Sequence, residues 1–155
     1  MTTKLQVELT SEREITMTRT FDAPKHLVLK AMTTPELIKR WLGGKRAVVT
    51  DAQQDFRVGG SYRHTFRTHE GYEFGFTGTY VEIGPDRIVH TERMDGQPLD
   101  ARITLTLTEI GPATTRMQMV MELPSREVRD AVLKTGMTDG AGESYEELAT
   151  LLANL

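Results

Sequence analysis

Between positions 61 and 123 the chain is written as one short alternating run after another, broken by glycine-rich turns, and this stretch constrains the fold most. Tyr62, His64 and Phe66 share one face of the first run, with Arg63, Thr65 and Arg67 on the other. His69-Glu70-Gly71 reads as a hairpin turn, after which Tyr72, Phe74, Phe76, Gly78 and Tyr80 line one face of a long strand. Gly84-Pro85-Asp86 turns the chain again, and Ile88, His90, Glu92 and Met94 then oppose Val89, Thr91 and Arg93. Beyond the loop Asp95-Gly96-Gln97-Pro98, Ile103, Leu105 and Leu107 alternate with Thr104, Thr106 and Thr108. Gly111-Pro112 leads into a last run with Met117, Met119, Met121 and Leu123 on one side.

A sheet of that size with one apolar face needs a cover. The only long helical candidate is the segment 125–155, which opens on Ser125 as an N-cap and ends in Tyr145, Leu148, Leu151, Leu152 and Leu155. Gly136, Gly140 and Gly142 lie within it, each costing about 1 kcal/mol in a helix interior, so a break near Gly136 is expected and a final helix from about 138 to 153. These glycines are expected to face the sheet, leaving volume that larger side chains would fill.

The N-terminal part reads as a half-buried strand. Leu5, Val7 and Leu9 alternate with polar residues, and so, after a polar interruption, do Ile15, Met17 and Phe21. Two short helices follow: Asp22-Ala23-Pro24 starts the first, with Pro24 in its first turn, and Thr34-Pro35-Glu36 starts the second, with Thr34 as cap. Leu27, Val28, Ala31 and Met32 form one apolar stripe; Leu37, Ile38, Trp41 and Leu42 form the next, ended by Gly43-Gly44. Ala47-Val48-Val49 is a short strand, residues 51–55 a polar connection, and Gly59-Gly60 a turn or bulge. Strands segregated from helices mean α+β, here a curved antiparallel sheet of six to seven strands wrapped on a C-terminal helix within a single domain, 1–155.

Composition excludes several classes of function. Net charge is −3, with both signs interspersed, which argues against nucleic acid or an anionic membrane as partner. With no cysteine there is no disulfide, thiolate metal site or cysteine nucleophile. Residues 1–20 contain no apolar run suited to a signal peptide or a membrane span, so the expected location is the cytoplasm. No phosphate loop, nucleophile elbow or HExxH string occurs, and no cofactor or metal is expected.

The string Phe21-Asp22-Ala23-Pro24, then Thr34-Pro35-Glu36 with Trp41 six residues after Pro35, resembles the opening of START-like (SRPBCC) domains. Within them it is most similar to the subgroup named after the activator of heat-shock protein 90 ATPase. Residues 55–60 (Asp-Phe-Arg-Val-Gly-Gly), Gly78-Thr79-Tyr80, residues 87–92 (Arg-Ile-Val-His-Thr-Glu) and Gly136-Met137-Thr138-Asp139-Gly140 leading to Tyr145 and Leu148 extend the resemblance over residues 15–152. It implies a helix-grip fold, an internal cavity between sheet and C-terminal helix, and an apolar ligand such as a lipid or polyketide. It does not imply chaperone activation. Many relatives carry an aromatic where Glu92 stands, and a carboxylate there makes the cavity less uniformly apolar.

The ligand-binding candidates are therefore Tyr62, His64, Phe66, Phe74, Phe76, His90, Glu92, Met117, Met119 and Met121 on the sheet, with Trp41, Gly136, Gly140 and Tyr145 around it. Aromatic and methionine side chains suit an adaptable pocket, and the alternative is that they simply fill a core. His90 and Glu92, two apart on one strand, share a face and with His64 could hydrogen-bond a ligand or act as acid and base. The leading function is binding or carriage of an apolar small molecule. The alternatives are a cyclase, aromatase or hydrolase working through His64, His90 and Glu92, and a protein–protein module of chaperone-activator type; a homodimer remains open.

Overall fold

The computed structural model describes residues 4–155. Eight strands form one antiparallel sheet: β1 Gln6–Ser11, β2 Glu14–Phe21, β3 Ala47–Gln54, β4 Ser61–Thr68, β5 Glu73–Ile83, β6 Arg87–Met94, β7 Ala101–Gly111 and β8 Thr114–Glu122. Their order across the sheet is β1-β2-β8-β7-β6-β5-β4-β3. Helices α1 Lys25–Thr33 and α2 Pro35–Trp41 fill the crossover from β2 to β3, and α3 Arg126–Lys134 and α4 Met137–Leu152 close the chain. This is the expected helix-grip arrangement of a curved sheet and a C-terminal helix, with more strands than the six to seven expected.

The additional strand comes from the N-terminus. The polar interruption at Glu12-Arg13 is a tight turn, so what read as one half-buried strand is the hairpin β1–β2. β1 is the edge of the sheet, and Val7 and Leu9 are 43% and 49% exposed rather than half-buried. At the opposite edge, Asp51 to Gln54 are not a connection: β3 passes a bulge between Val49 and Asp51 and stays paired with β4, Ala52 against His64 and Gln54 against Tyr62. An edge strand tolerates polar residues because one flank faces solvent, which is why its pattern misled.

The core lies between the sheet and the helices. Phe21, Val28, Ala31, Trp41, Leu105, Leu107, Met117, Tyr145, Leu148 and Leu152 form its main cluster. The break expected near Gly136 is present: this residue takes the left-handed conformation, φ +81°, and separates α3 from α4. Pro24 stands at the N-cap of α1 rather than inside its first turn. Thr34 occupies the N-cap of α2, but its side chain makes no capping bond. Ser125 does cap α3, its hydroxyl accepting from the Val128 N–H at 3.1 Å. Ser125→Ala should therefore cost about 1 kcal/mol of stability, read as a lowered urea midpoint with unchanged slope, whereas Thr34→Ala should be near neutral.

Candidate functional site

The concave face of the sheet brings four strands together around Tyr62. Antiparallel register sets Tyr62 of β4 opposite Gly78 of β5, His64 opposite Phe76, and Phe66 opposite Phe74. Tyr80 of β5 pairs with His90 of β6, and Glu92 follows two residues on, opposite Ala101 of β7. Gly78 is what lets the Tyr62 ring lie flat across β5: a Cβ there would stand 2.0 Å from the Thr91 carbonyl oxygen and 2.4 Å from the Tyr62 ring. The Tyr62 hydroxyl crosses that gap, donates to the Thr91 carbonyl at 2.8 Å and lies 3.0 Å from Nδ1 of His90.

That contact fixes the His90 tautomer. Nδ1 is also 3.0 Å from the Thr91 carbonyl, an acceptor only, so Nδ1 carries the proton and Nε2 keeps its lone pair. Burial holds His90 below the usual histidine range, the Thr91 bond working against it. His64, its ring 5.1 Å from that of Tyr62, is pushed down to about 4, chiefly by burial and further by His90. Both imidazoles are neutral at pH 7. Nε2 of His64 is buried with no hydrogen-bond partner.

Glu92 is the unusual member. Its side chain is half-buried, and it makes no hydrogen bond or ion pair among the described residues. Burial alone pushes its carboxyl up to about 7, with no cation near enough to pull it back. Its charge reaches the hydroxyls of Tyr62 and Tyr145, and burial with that charge drives both tyrosines well above their ordinary range. The Tyr145 hydroxyl meanwhile donates to the Met119 sulfur at 3.6 Å.

Around this polar group runs a row of rings. Tyr72 at the β4–β5 turn stands 6.2 Å from Phe74, Phe74 stacks on Phe66 at 5.0 Å, and Phe66 meets Phe76 edge-on at 5.8 Å. Phe74, Phe76, His64, His90, Glu92 and Met119 all keep partial exposure, whereas Tyr62, Phe66, Met117, Met121, Tyr145 and Trp41 are buried and serve as the floor and walls.

Several expected site residues lie elsewhere. Gly136 and Gly140 do not look across volume at the aromatic face: the nearest atoms to a Cβ at either belong to Arg46, and for Gly142 to Leu5. The register of α4 turns its small residues toward the start of β3 and toward β1, and Tyr145 and Leu148 toward the sheet. Trp41 is core: it stacks on Tyr145 at 5.9 Å, and its indole N–H donates to the Ala31 carbonyl at 3.0 Å. Among the described residues no three His, Cys, Asp or Glu side chains gather as metal ligands. No helix is long and apolar enough to cross a membrane.

Two features escaped the sequence reading. Gly78 looked like one more strand residue, and only the register shows that it accommodates Tyr62. Arg19 continues the inward phase of Ile15, Met17 and Phe21, and that phase was its signal. It is 3% exposed, bonds Glu146 at 3.2 Å, lies 4.9 Å over the Phe21 ring, and leaves its Nε without a partner. Arg19 lines a crevice of about 280 Å³ with Asp22, Glu146 and Leu152; a second, of about 470 Å³, lies among Leu5, Val7, Arg46 and Gly142. Neither reaches Glu92 or the histidines.

Comparison with known proteins agrees with this architecture. The sequence profile of the activator of Hsp90 ATPase homolog 1-like protein family matches residues 22–153. A crystal structure from Rhodobacter sphaeroides superposes with a TM-score of 0.91 at 27% identity, covering 98% of this chain and 99% of the other. One from Chromobacterium violaceum gives 0.78 at 29% identity, covering 92% and 98%. One from Nitrosomonas europaea, 23% identical over 94% and 97% of the chains, gives 0.84 and speaks for the fold alone. Comparison with curated proteins gives no match.

Proposed function

Since the chain belongs to the activator of Hsp90 ATPase homolog 1-like family, whose START-like fold supports a ligand-binding or activator-type domain, we propose that it binds an apolar small molecule on the concave face, under the N-terminal half of α4. One observation carries this reading: His64, beside the Tyr62 ring, keeps a buried imidazole nitrogen without a partner, and half-buried Glu92 on the same face has no protein partner for its carboxyl. A buried polar group without a partner costs about 1–3 kcal/mol, more when charged. A bound molecule with polar groups at one end would satisfy both.

The ligand body would lie against Phe74, Phe76 and Met119, whose partial exposure leaves contact area to bury at about 25 cal/mol per Å². Native mass spectrometry of the protein taken from the cells that make it tests the reading: a co-purifying small molecule is expected. Phe76→Ala, which removes partly exposed ring area from this face, should weaken uptake of a neutral naphthalene probe about tenfold at unchanged folded fraction. Undiminished uptake by that variant would sink the proposal.

A second reading is favoured by the Glu92 carboxyl alone. A group that titrates at about 7 can both give and take a proton at neutral pH, which suits acid–base chemistry on the bound molecule. Turnover of the co-purified molecule lost in Glu92→Gln would support it, and absence of turnover in the unaltered protein would reject it.

A further inference from the structure

Building on the concave-face reading, we infer that the polar end of the ligand is a protonated amine, so that the pocket selects an aromatic or other apolar body carrying an ammonium group. The argument is one of complementarity. The open polar atoms around the site are mostly acceptors: the two carboxylate oxygens of Glu92 and the lone pair on Nε2 of His90, whose Nδ1 proton is committed to Thr91. Of the donors nearby, the single N–H of neutral His64 is uncommitted, and the rest are spent. The Tyr62 hydroxyl gives its proton to the Thr91 carbonyl, and the Tyr145 hydroxyl gives its own to the Met119 sulfur.

No protein cation answers Glu92. Arg63, on the outer face of β4, is held by Asp95 at 2.8 Å, and Arg19, on β2 of the inner face, is held by Glu146. His64 and His90 remain neutral at physiological pH. A ligand with several N–H donors and one positive charge therefore fits what the protein leaves open, whereas an anionic head group would meet the like charge of Glu92 with one neutral imidazole N–H to answer it. The rings strengthen the case, because partly exposed aromatic faces on this side of the sheet, such as that of Phe76, attract an organic cation as well as an apolar body. His90 and Glu92, two residues apart on one strand, lie about 6.6 Å from each other along β6, so one ammonium can bridge them only with both side chains leaning toward it. A primary or secondary amine has the protons to do so.

Three naphthalene probes of one shape separate the possibilities: naphthylethylamine, naphthylethanol and naphthylacetate, titrated by fluorescence at pH 8 into the full chain and into Glu92→Gln. The amine should bind about tenfold or more tighter than the alcohol, the difference expected of one charge-assisted contact in a desolvated site, and the carboxylate weakest. In Glu92→Gln the advantage of the amine over the alcohol should fall to about twofold or less. Equal binding of amine and alcohol by the unaltered protein, or an amine preference that survives in Glu92→Gln, would overturn the inference while leaving the pocket reading intact. If no probe binds, the pocket reading itself falls and takes the inference with it.

Discussion

Glu92→Gln is expected to stabilise the empty protein by about 3 kcal/mol above pH 7 and to leave it unchanged near pH 4. The carboxyl titrates at an ordinary 4.5 in the unfolded chain and at about 7 in the fold, because burial disfavours the charge. Between those values the folded state holds a proton that the unfolded chain has released. Stability from this group is thus lost as pH rises through the window, and the full penalty stands above pH 7. His64 works in the opposite sense. Its folded value of about 4 lies below the ordinary 6.5, so the unfolded chain holds the extra proton between the two, and stability rises with pH across that range. His90 is shifted the same way. Tyr62 and Tyr145 stay protonated throughout.

In the unaltered protein Glu92 should consequently oppose the two histidines between about 4.5 and 6.5, so that stability rises with pH less steeply than the histidines alone would make it. Glu92→Gln removes that opposition. Urea midpoints at pH 4, 6 and 8 should then rise more steeply with pH in the variant than in the unaltered protein. Parallel curves for the two would mean that Glu92 is not held in an apolar setting. A protein that keeps a destabilising carboxylate gives up stability for something, and recognition is the usual return. An amine ligand should accordingly raise the melting temperature more at pH 8 than at pH 5, since only the ionised carboxylate attracts it.

The parts of the fold that were legible in the sequence share one property: each has a single solvated face. β4, β5, β7 and β8 alternate strictly, so their spans and inward residues could be read directly, and Ser125 announced α3. Edges were misread. β1 and the second half of β3 carry polar side chains because they have neighbours on one flank only, and nothing local distinguishes such a strand from a loop. In the site, the inward phase of His64, His90 and Glu92 was legible from spacing. Their chemistry was not. Which imidazole nitrogen of His90 is protonated follows from its approach to the Thr91 carbonyl, and that the Tyr62 hydroxyl shares this carbonyl by reaching over Gly78 is a contact only the register creates. The glycines of α4 were misassigned because helical phase counted from Ser125 is reset at Gly136. After that reset Gly140 falls on the side facing Arg46.

Trp41→Ala should be the most damaging of the substitutions considered, costing about 3–5 kcal/mol and leaving little of the 5–15 kcal/mol typical of a domain. The indole is 5% exposed at the end of α2, where it ties that helix to α4, to α1 and to the core: it stacks on Tyr145 of α4, donates to the Ala31 carbonyl in the last turn of α1, and belongs to the same cluster as Tyr80 of β5 and Leu105 of β7. That carbonyl lies among the last four of a helix, which have no partner of their own within it, so deleting the indole leaves an orphaned acceptor as well as a cavity. Trp41→Phe keeps part of the stack and loses the hydrogen bond, and should cost about 1–3 kcal/mol. The same pair of variants decides whether Trp41 is part of the binding face. In Trp41→Phe, naphthylethanol should bind as it does to the unaltered protein once both are well folded, because the indole is buried against Tyr145 and α1 and offers the ligand no exposed surface. A clear loss of affinity at unchanged folded fraction would mean that the ligand reaches past Tyr145 to the crossover helices, and the pocket would then run the whole length of α4 instead of lying under its first half.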